Sequence, residues 1–247
     1  MKKQKSTQRP LLLFILIVSG LFLNACTFGS ANVIKGDGNV VTRMYEVDHF
    51  NSLDIRGMFE VNLIPGEGQP VMFETDENIQ DYLKLRVRGN TLHISSTEDA
   101  VFRPTKMVLH IPYSELKKIA IGGACKLGSD APVVVEELTF QVSGAADIEL
   151  TLEAKKLTTR VSGAANIKLD GTVDEHRADL SGASNIRAEQ LYTGDTRINL
   201  SGAGSAHVYA SESLDVSLSG LGNIRYYGAP KNIKMSKSGL GSIKAAE

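Results

Sequence analysis

Carboxylates are the residues of this chain best suited to chemistry. Asp170, Asp174 and Glu175 lie close together in the sequence, as do Glu149 and Glu153. Two acids flanking one groove can run glycoside hydrolysis, one as acid and one as base or nucleophile. With a basic residue or a metal beside them, such acids also serve polysaccharide lyases. Yet residues 170–174, with Gly171 inside, read as a solvated turn. Serine is the second candidate, because Ser-Gly occurs at Ser143, Ser162, Ser181, Ser201, Ser219 and Ser238. A nucleophile is unique in its site, whereas these hydroxyls recur, so bonding to nearby turn backbone explains them better. His49, His93, His110, His176 and His207 show no metal-ligand spacing. No nucleophile elbow or phosphate loop is present. The chain has no Trp and only 6% aromatic residues, which leaves few platforms for stacking sugars. The residues therefore assign no catalytic group, no metal ligand and no cofactor, and leave any ligand-binding residues open.

The elements that would position these groups follow from a repeat. Ser-Gly-Ala-x-Asn-Ile and its variants run from residue 143 to residue 243, preceded by a degenerate copy at 122–127. The second residue of each copy is Gly123, Gly144, Gly163, Gly182, Gly202, Gly220 and Gly239, spaced by 21, 19, 19, 20, 18 and 19. A fixed period of this kind marks a solenoid. Two residues before each glycine stand Ile121, Val142, Val161, Leu180, Leu200 and Leu218. Four after it stand Leu127, Ile148, Ile167, Ile186, Ala206, Ile224 and Ile243. Six after it stand Leu150, Leu169, Ala188, Val208, Tyr226 and Ala245, with mostly charged residues between. That alternation is a strand period and argues against helix. A chain returning to the same column every ~19 residues makes one coil of a parallel β-helix, its coils stacked about 4.8 Å apart. The crossover rule favours a right-handed coil. Asp147, Asn166, Asn185, Ser205, Asn223 and Ser242 then form an outer ladder able to bond along the stack.

Around Gly57 the same columns reappear as Ile55, Val61 and Leu63. Between there and Gly123 the strand-like runs are longer and less regular, with a turn at residues 88–90 and a short capped helix expected over 76–83. Residues 42–247 therefore read as one all-β domain, a right-handed single-stranded parallel β-helix with irregular N-terminal coils.

The front of the chain has a different composition. Lys2, Lys3, Lys5 and Arg9 precede an apolar run over residues 11–23 that ends in Leu23-Asn24-Ala25-Cys26. A basic start, a short apolar stretch and a small residue at the cut describe a secretory signal, and the run is short for a bilayer span. Leu-Asn-Ala-Cys resembles the lipobox of bacterial lipoproteins. That resemblance implies cleavage after residue 25 and lipidation of Cys26, with acyl chains holding the protein to a membrane. Residues 1–25 are then the signal peptide and 26–41 a lipidated tether. The only other cysteine, Cys125, has no partner for a disulfide and reads as a small buried residue. The net charge is −1 and loss of the signal makes it more negative. No basic stripe with interleaved aromatics speaks for nucleic acid.

The phrases Gly-Ala-Ala-Asn-Ile, Gly-Ala-Ser-Asn-Ile and Gly-Leu-Gly-Asn-Ile, with Leu-Ser or Val-Ser before them, resemble the family described as putative auto-transporter adhesin, head GIN domain. Residues 55–63 resemble its opening strand. The family implies a right-handed β-helix similar to pectin-lyase-like folds without their catalytic residues, in the envelope of Bacteroidetes-type bacteria. The expectation is a non-enzymatic lipoprotein of the outer membrane, a binding or scaffold module for protein or glycan. The alternative is a carbohydrate-active β-helix enzyme, recognisable by three or more charged groups converging in one groove. Self-association into a homo-oligomer is a third expectation, since a β-helix end leaves backbone unpaired. Lys237, standing where the last coil should carry an aliphatic residue, blunts that end.

Overall fold

The apolar columns of the sequence become the inside of a solenoid. The computed structural model describes residues 32–97 and 100–246; Cys26 and the signal segment lie outside them. Those residues form a parallel β-helix of about 7 turns spaced about 19 residues apart. Each coil carries two main strands that meet at the repeated glycine. The strands ending before the glycine stack as Ser52–Arg56, Lys118–Ile121 and Glu137–Val142. They continue through the second halves of Ala145–Val161, Ala164–Leu180 and Ala183–Leu200, then Ser213–Leu218 and Asn232–Lys237. The strands starting after it stack as Met58–Pro65, Ala124–Ser129, the first halves of the same three long strands, Ala203–Tyr209, Leu221–Tyr227 and Leu240–Ala245.

Column residues sit where the period puts them. Ile148, Ile167, Ile186 and Ile224 are register partners along the second stack, interrupted by Ala206, and each is 0–1% exposed. Val142, Val161, Leu180, Leu200 and Leu218 line the first stack and are equally buried. Each such side chain contributes roughly 1.5–3 kcal/mol of burial. Cys125 is buried and free, and burial pushes its thiol up to about 12.

The marker glycine is required by space rather than by dihedral angle. At Gly163 an added Cβ would lie 1.9 Å from the Gly144 carbonyl oxygen, and at Gly182 it would lie 1.9 Å from that of Gly163. Neither glycine has a positive φ. Corners stack so closely that backbone fills the space a side chain would need.

Three expectations need correction. Residues 170–174 are not a turn but part of the unbroken strand Ala164–Leu180; Gly171, at φ 112°, bends the chain while the ladder of hydrogen bonds continues. The segment expected as a capped helix is a 3₁₀ helix, Glu77–Tyr82, whose Asp76 makes no cap bond. The Asp76 carboxylate instead accepts hydrogen bonds from the backbone N–H groups of Gly38 at 2.8 Å and Thr105 at 2.6 Å. Burial would raise its pKa, but these bonds outweigh it and hold the carboxyl below its ordinary value. Within the segment read as a tether, Asn32–Lys35 is a strand paired with Ala100–Arg103, and the segment's last residues, Val40 and Val41, begin the strand Val40–Tyr45 that pairs antiparallel with Val71–Asp76.

The N-terminal coils are also out of sequence order. Thr91–Ser96 and Met107–Tyr113 stack outside Ser52–Arg56 and Met58–Pro65, while Lys118–Ile121 and Ala124–Ser129 stack on their inner side. The antiparallel strands Val71–Asp76 and Leu83–Arg88 extend that end. At the other end Asn232–Lys237 is exposed throughout.

Buried polar groups lie both at the N-terminal end, at Thr75, Asp76 and Gln80, and in the middle coils. The His176 ring is 1% exposed, with Nε2 3.3 Å from Thr159 Oγ1, and burial pushes its pKa from 6.5 down to about 4. The neutral ring is thus the folded form, and the unfolded chain takes up the extra proton. Stability should be complete above about pH 6.5 and fall as the pH drops towards 4, by about 3 kcal/mol for this shift. Urea titrations at pH 7 and pH 4.5 should show the loss. His176→Gln should abolish most of that difference, and an unchanged difference would contradict the assignment.

Candidate functional site

The strands place the chemical candidates on the outside of the rod, and register decides what each one meets. Lys168 Nζ reaches Glu149 Oε1 at 2.6 Å, Lys155 Nζ reaches Glu136 Oε1 at 2.7 Å, and Lys231 Nζ reaches Glu212 Oε2 at 2.7 Å. Lys156 lies 3.3 Å from Glu175, and Asp170 lies 3.8 Å from Lys168. Most of these partners sit one coil apart; of the acids flagged in the sequence, Glu149 and Glu175 tie neighbouring coils, Asp170 meets Lys168 of its own coil, and Glu153 and Asp174 make no ion pair among the described residues. Exposed pairs of this kind are screened by solvent and contribute little to stability. The bond from Lys168 holds the Glu149 carboxyl below its usual range.

The recurring serines and asparagines are also accounted for by the stack. Ser181 Oγ donates to the Val161 carbonyl at 3.1 Å, with longer contacts from Ser143, Ser162 and Ser201 to the equivalent carbonyls. Along the outer ladder, Asn185 Nδ2 donates to Asn166 Oδ1 at 3.2 Å and Ser205 Oγ donates to Asn185 Oδ1 at 2.9 Å. Ser242 repeats the bond to Asn223 at 2.8 Å.

Two grooves near the N-terminal coils do collect charge. One, of about 450 Å³, is lined by Glu60, Asp130, Asp147, Glu149, Lys126 and His110, among others. Within it Lys126 binds Glu60 at 2.8 Å and Asn62 binds Asp130 at 3.0 Å. The other, of about 550 Å³, holds Asp54, whose Oδ2 is 3.0 Å from His93 Nδ1 and 3.1 Å from Arg56 Nη2. The sequence separates Asp54 and His93 by 39 residues, and only the out-of-order stacking of Thr91–Ser96 on Ser52–Arg56 joins them. Among the described residues no group of three or more His, Cys, Asp or Glu side chains is arranged to hold a metal, and no helix is long and apolar enough to cross a membrane.

The coil repeat, its small-residue corner and its outer ladder are the features on which relatedness is to be judged, and the family model of the putative auto-transporter adhesin, head GIN domain, matches residues 49–230. The chain belongs to this family. Among solved structures it is similar to a putative adhesin from Bacteroides fragilis NCTC 9343, with 25% identity and a TM-score of 0.82, covering 86% of this chain and 100% of that one. A putative adhesin from Parabacteroides merdae ATCC 43184 shares the fold at 20% identity and a TM-score of 0.69, with 88% and 100% covered. So does a putative lipid binding protein from Parabacteroides distasonis ATCC 8503, at 22% identity and 0.64, with 86% and 100% covered. Comparison with curated proteins gives no match.

Tyr226 and Tyr227 separate as strand alternation requires. Tyr226 packs against the core beside Val208 and Ala245, while Tyr227 faces outward in register with Tyr209. Neither Tyr192 nor Tyr209 stands out in the sequence. Their rings meet edge to face, 5.1 Å apart; Tyr209 stands two residues beyond His207, as Tyr227 does beyond Arg225, whereas Tyr192 lies outside that column, in register with Thr172.

Proposed function

We propose that this protein is a non-enzymatic, lipid-anchored module of the outer membrane that presents its β-helix as a binding surface for protein or glycan. The observation that carries this reading is membership of the adhesin family over residues 49–230. The ion pairs of Glu149 and Glu175 with lysines one coil away support it, because those two acids are poorly placed to act as a free acid–base couple. Lipid anchoring through Cys26 rests on the sequence around that residue. Acyl chains bring roughly 0.8 kcal/mol per buried CH₂, enough to keep the rod at a membrane.

Cys26→Ala in the full chain should abolish incorporation of labelled palmitate and move the protein from the membrane fraction to the soluble one. Cells carrying the wild type should adhere to an epithelial or mucin-coated surface more than cells lacking the gene. Equal adhesion would remove the binding-module reading. The carbohydrate-active alternative draws on the groove that gathers Glu60, Asp130, Asp147 and Glu149; shortening of an acidic polysaccharide by the purified protein would favour it instead.

A further inference from the structure

A row of cations runs along the outside of the C-terminal coils. Lys168, Arg187, His207, Arg225 and Lys244 occupy the same outward position in five successive coils, each in register with the next. The step between them is therefore about one strand spacing, ~4.8 Å. Lys168 is neutralised by Glu149 at 2.6 Å. Among the described residues no ion pair involves Arg187, Arg225 or Lys244, and all three are exposed. Glu149 heads the row in register with Lys168, and further along it Glu189 Oε2 lies 4.0 Å from His207 Nδ1. Arg225 and Lys244, unpaired and one coil apart, repel each other, and Arg187 stands two coils from Arg225, so an anion laid along the row would relieve them. The protein as a whole carries net charge −1, so this stripe is a local reversal of sign.

Both flanks of the row have a character of their own. On one side runs the amide and hydroxyl ladder of Asn185, Ser205, Asn223 and Ser242. Each amide in it keeps hydrogen-bonding capacity beyond the bonds within the ladder. On the other side lie the tyrosines. Tyr192 is 51% exposed and packs on Tyr209, while the Tyr227 ring centroid is 6.4 Å from that of His207. Cations, amides and aromatic rings in parallel lines suit a chain that carries carboxylates, hydroxyls and flat apolar ring faces at a short regular interval. We infer that this face binds an acidic polysaccharide, its sugars laid along the solenoid axis with uronate carboxylates on Arg187, Arg225 and Lys244 and ring faces on the tyrosine edge. A single file of cations on an acidic protein is too narrow a field for duplex nucleic acid, whose binding needs many phosphate contacts at once.

This inference rests on the binding-module reading and gives it a ligand class. Affinity electrophoresis of the full chain in gels containing polygalacturonate, neutral dextran or duplex DNA tests it. Polygalacturonate should retard the protein, with dextran and DNA having little effect, and retardation should weaken with salt. The double variant Arg187→Gln, Arg225→Gln should lose affinity about tenfold or more, as expected for two charge-assisted contacts. Tyr192→Ala should lose about threefold for polygalacturonate, the size of one aromatic contact. Both variants alter exposed side chains, so their melting temperatures should match the wild type and any loss can be assigned to binding. Retention by polygalacturonate that survives the arginine changes would overturn the site. Retention by DNA equal to that by polygalacturonate would overturn the ligand class. Wild-type cells that adhere while the purified protein ignores polygalacturonate would sink this inference alone and leave the module reading standing.

Discussion

Ile167→Asp should cost at least about 5 kcal/mol, enough to unfold much of a domain whose total stability is typically 5–15 kcal/mol. Ile167 is 1% exposed and stands between Ile148 and Ile186, both fully buried, in the continuous inner column. The substitution removes roughly 1.5–3 kcal/mol of apolar burial and puts a carboxyl where no partner exists. That carboxyl either stays charged at a cost of several kcal/mol or takes up a proton at neutral pH. Its neighbour provides the control. Asn166 lies on the same strand but points outward, so Asn166→Asp should change stability by no more than about 1 kcal/mol. Urea unfolding of both variants separates them, and equal midpoints would refute the inward column.

Gly163→Ala should be the next most damaging single change, at about 3 kcal/mol or more. The added methyl carbon would sit 1.9 Å from the Gly144 carbonyl oxygen and 2.6 Å from that of Ser143. Both are backbone atoms, and neither can move without disturbing the coil below. The Gly144 carbonyl also accepts the Ala164 N–H at 2.9 Å, so displacing it breaks a rung. Gly128→Ala makes the contrast, because there the nearest atom, the Glu149 carbonyl oxygen, is 3.9 Å away. It should melt close to the wild type. Thermal unfolding that found the two alanine variants alike would show that the corner has slack the packing denies.

Some of this fold was legible because its unit is local. Within one coil the inward columns, the serine at the corner and the asparagine ladder each occupy a fixed offset from the glycine, and offset alone gave their roles. Cys125 was legible on the same basis. The segment over residues 170–174 was misread because its glycine and acids are turn residues by composition. In the stack their backbone bonds are already taken by Leu152 and its neighbours in register, so the chain bends without leaving the ladder. Asp76 was misread as a helix cap because capping is the commonest local use of such a residue. Its bonds to Gly38 and Thr105 span 38 and 29 residues, a distance no local pattern records.

By itself the sequence determined the period, the β-helix, the identity of the buried columns and the family resemblance, since each depends on residues close together in the chain. Tertiary structure alone decided that Thr91–Ser96 and Met107–Tyr113 stack outside an earlier coil and that Asp54 faces His93. It also decided that Tyr192 packs on Tyr209, beside an outward row of basic residues that the repeat offset alone had aligned. Each of these depends on which coil lies against which. That choice is made by burying the apolar column of one coil under the next, a contact between residues many positions apart.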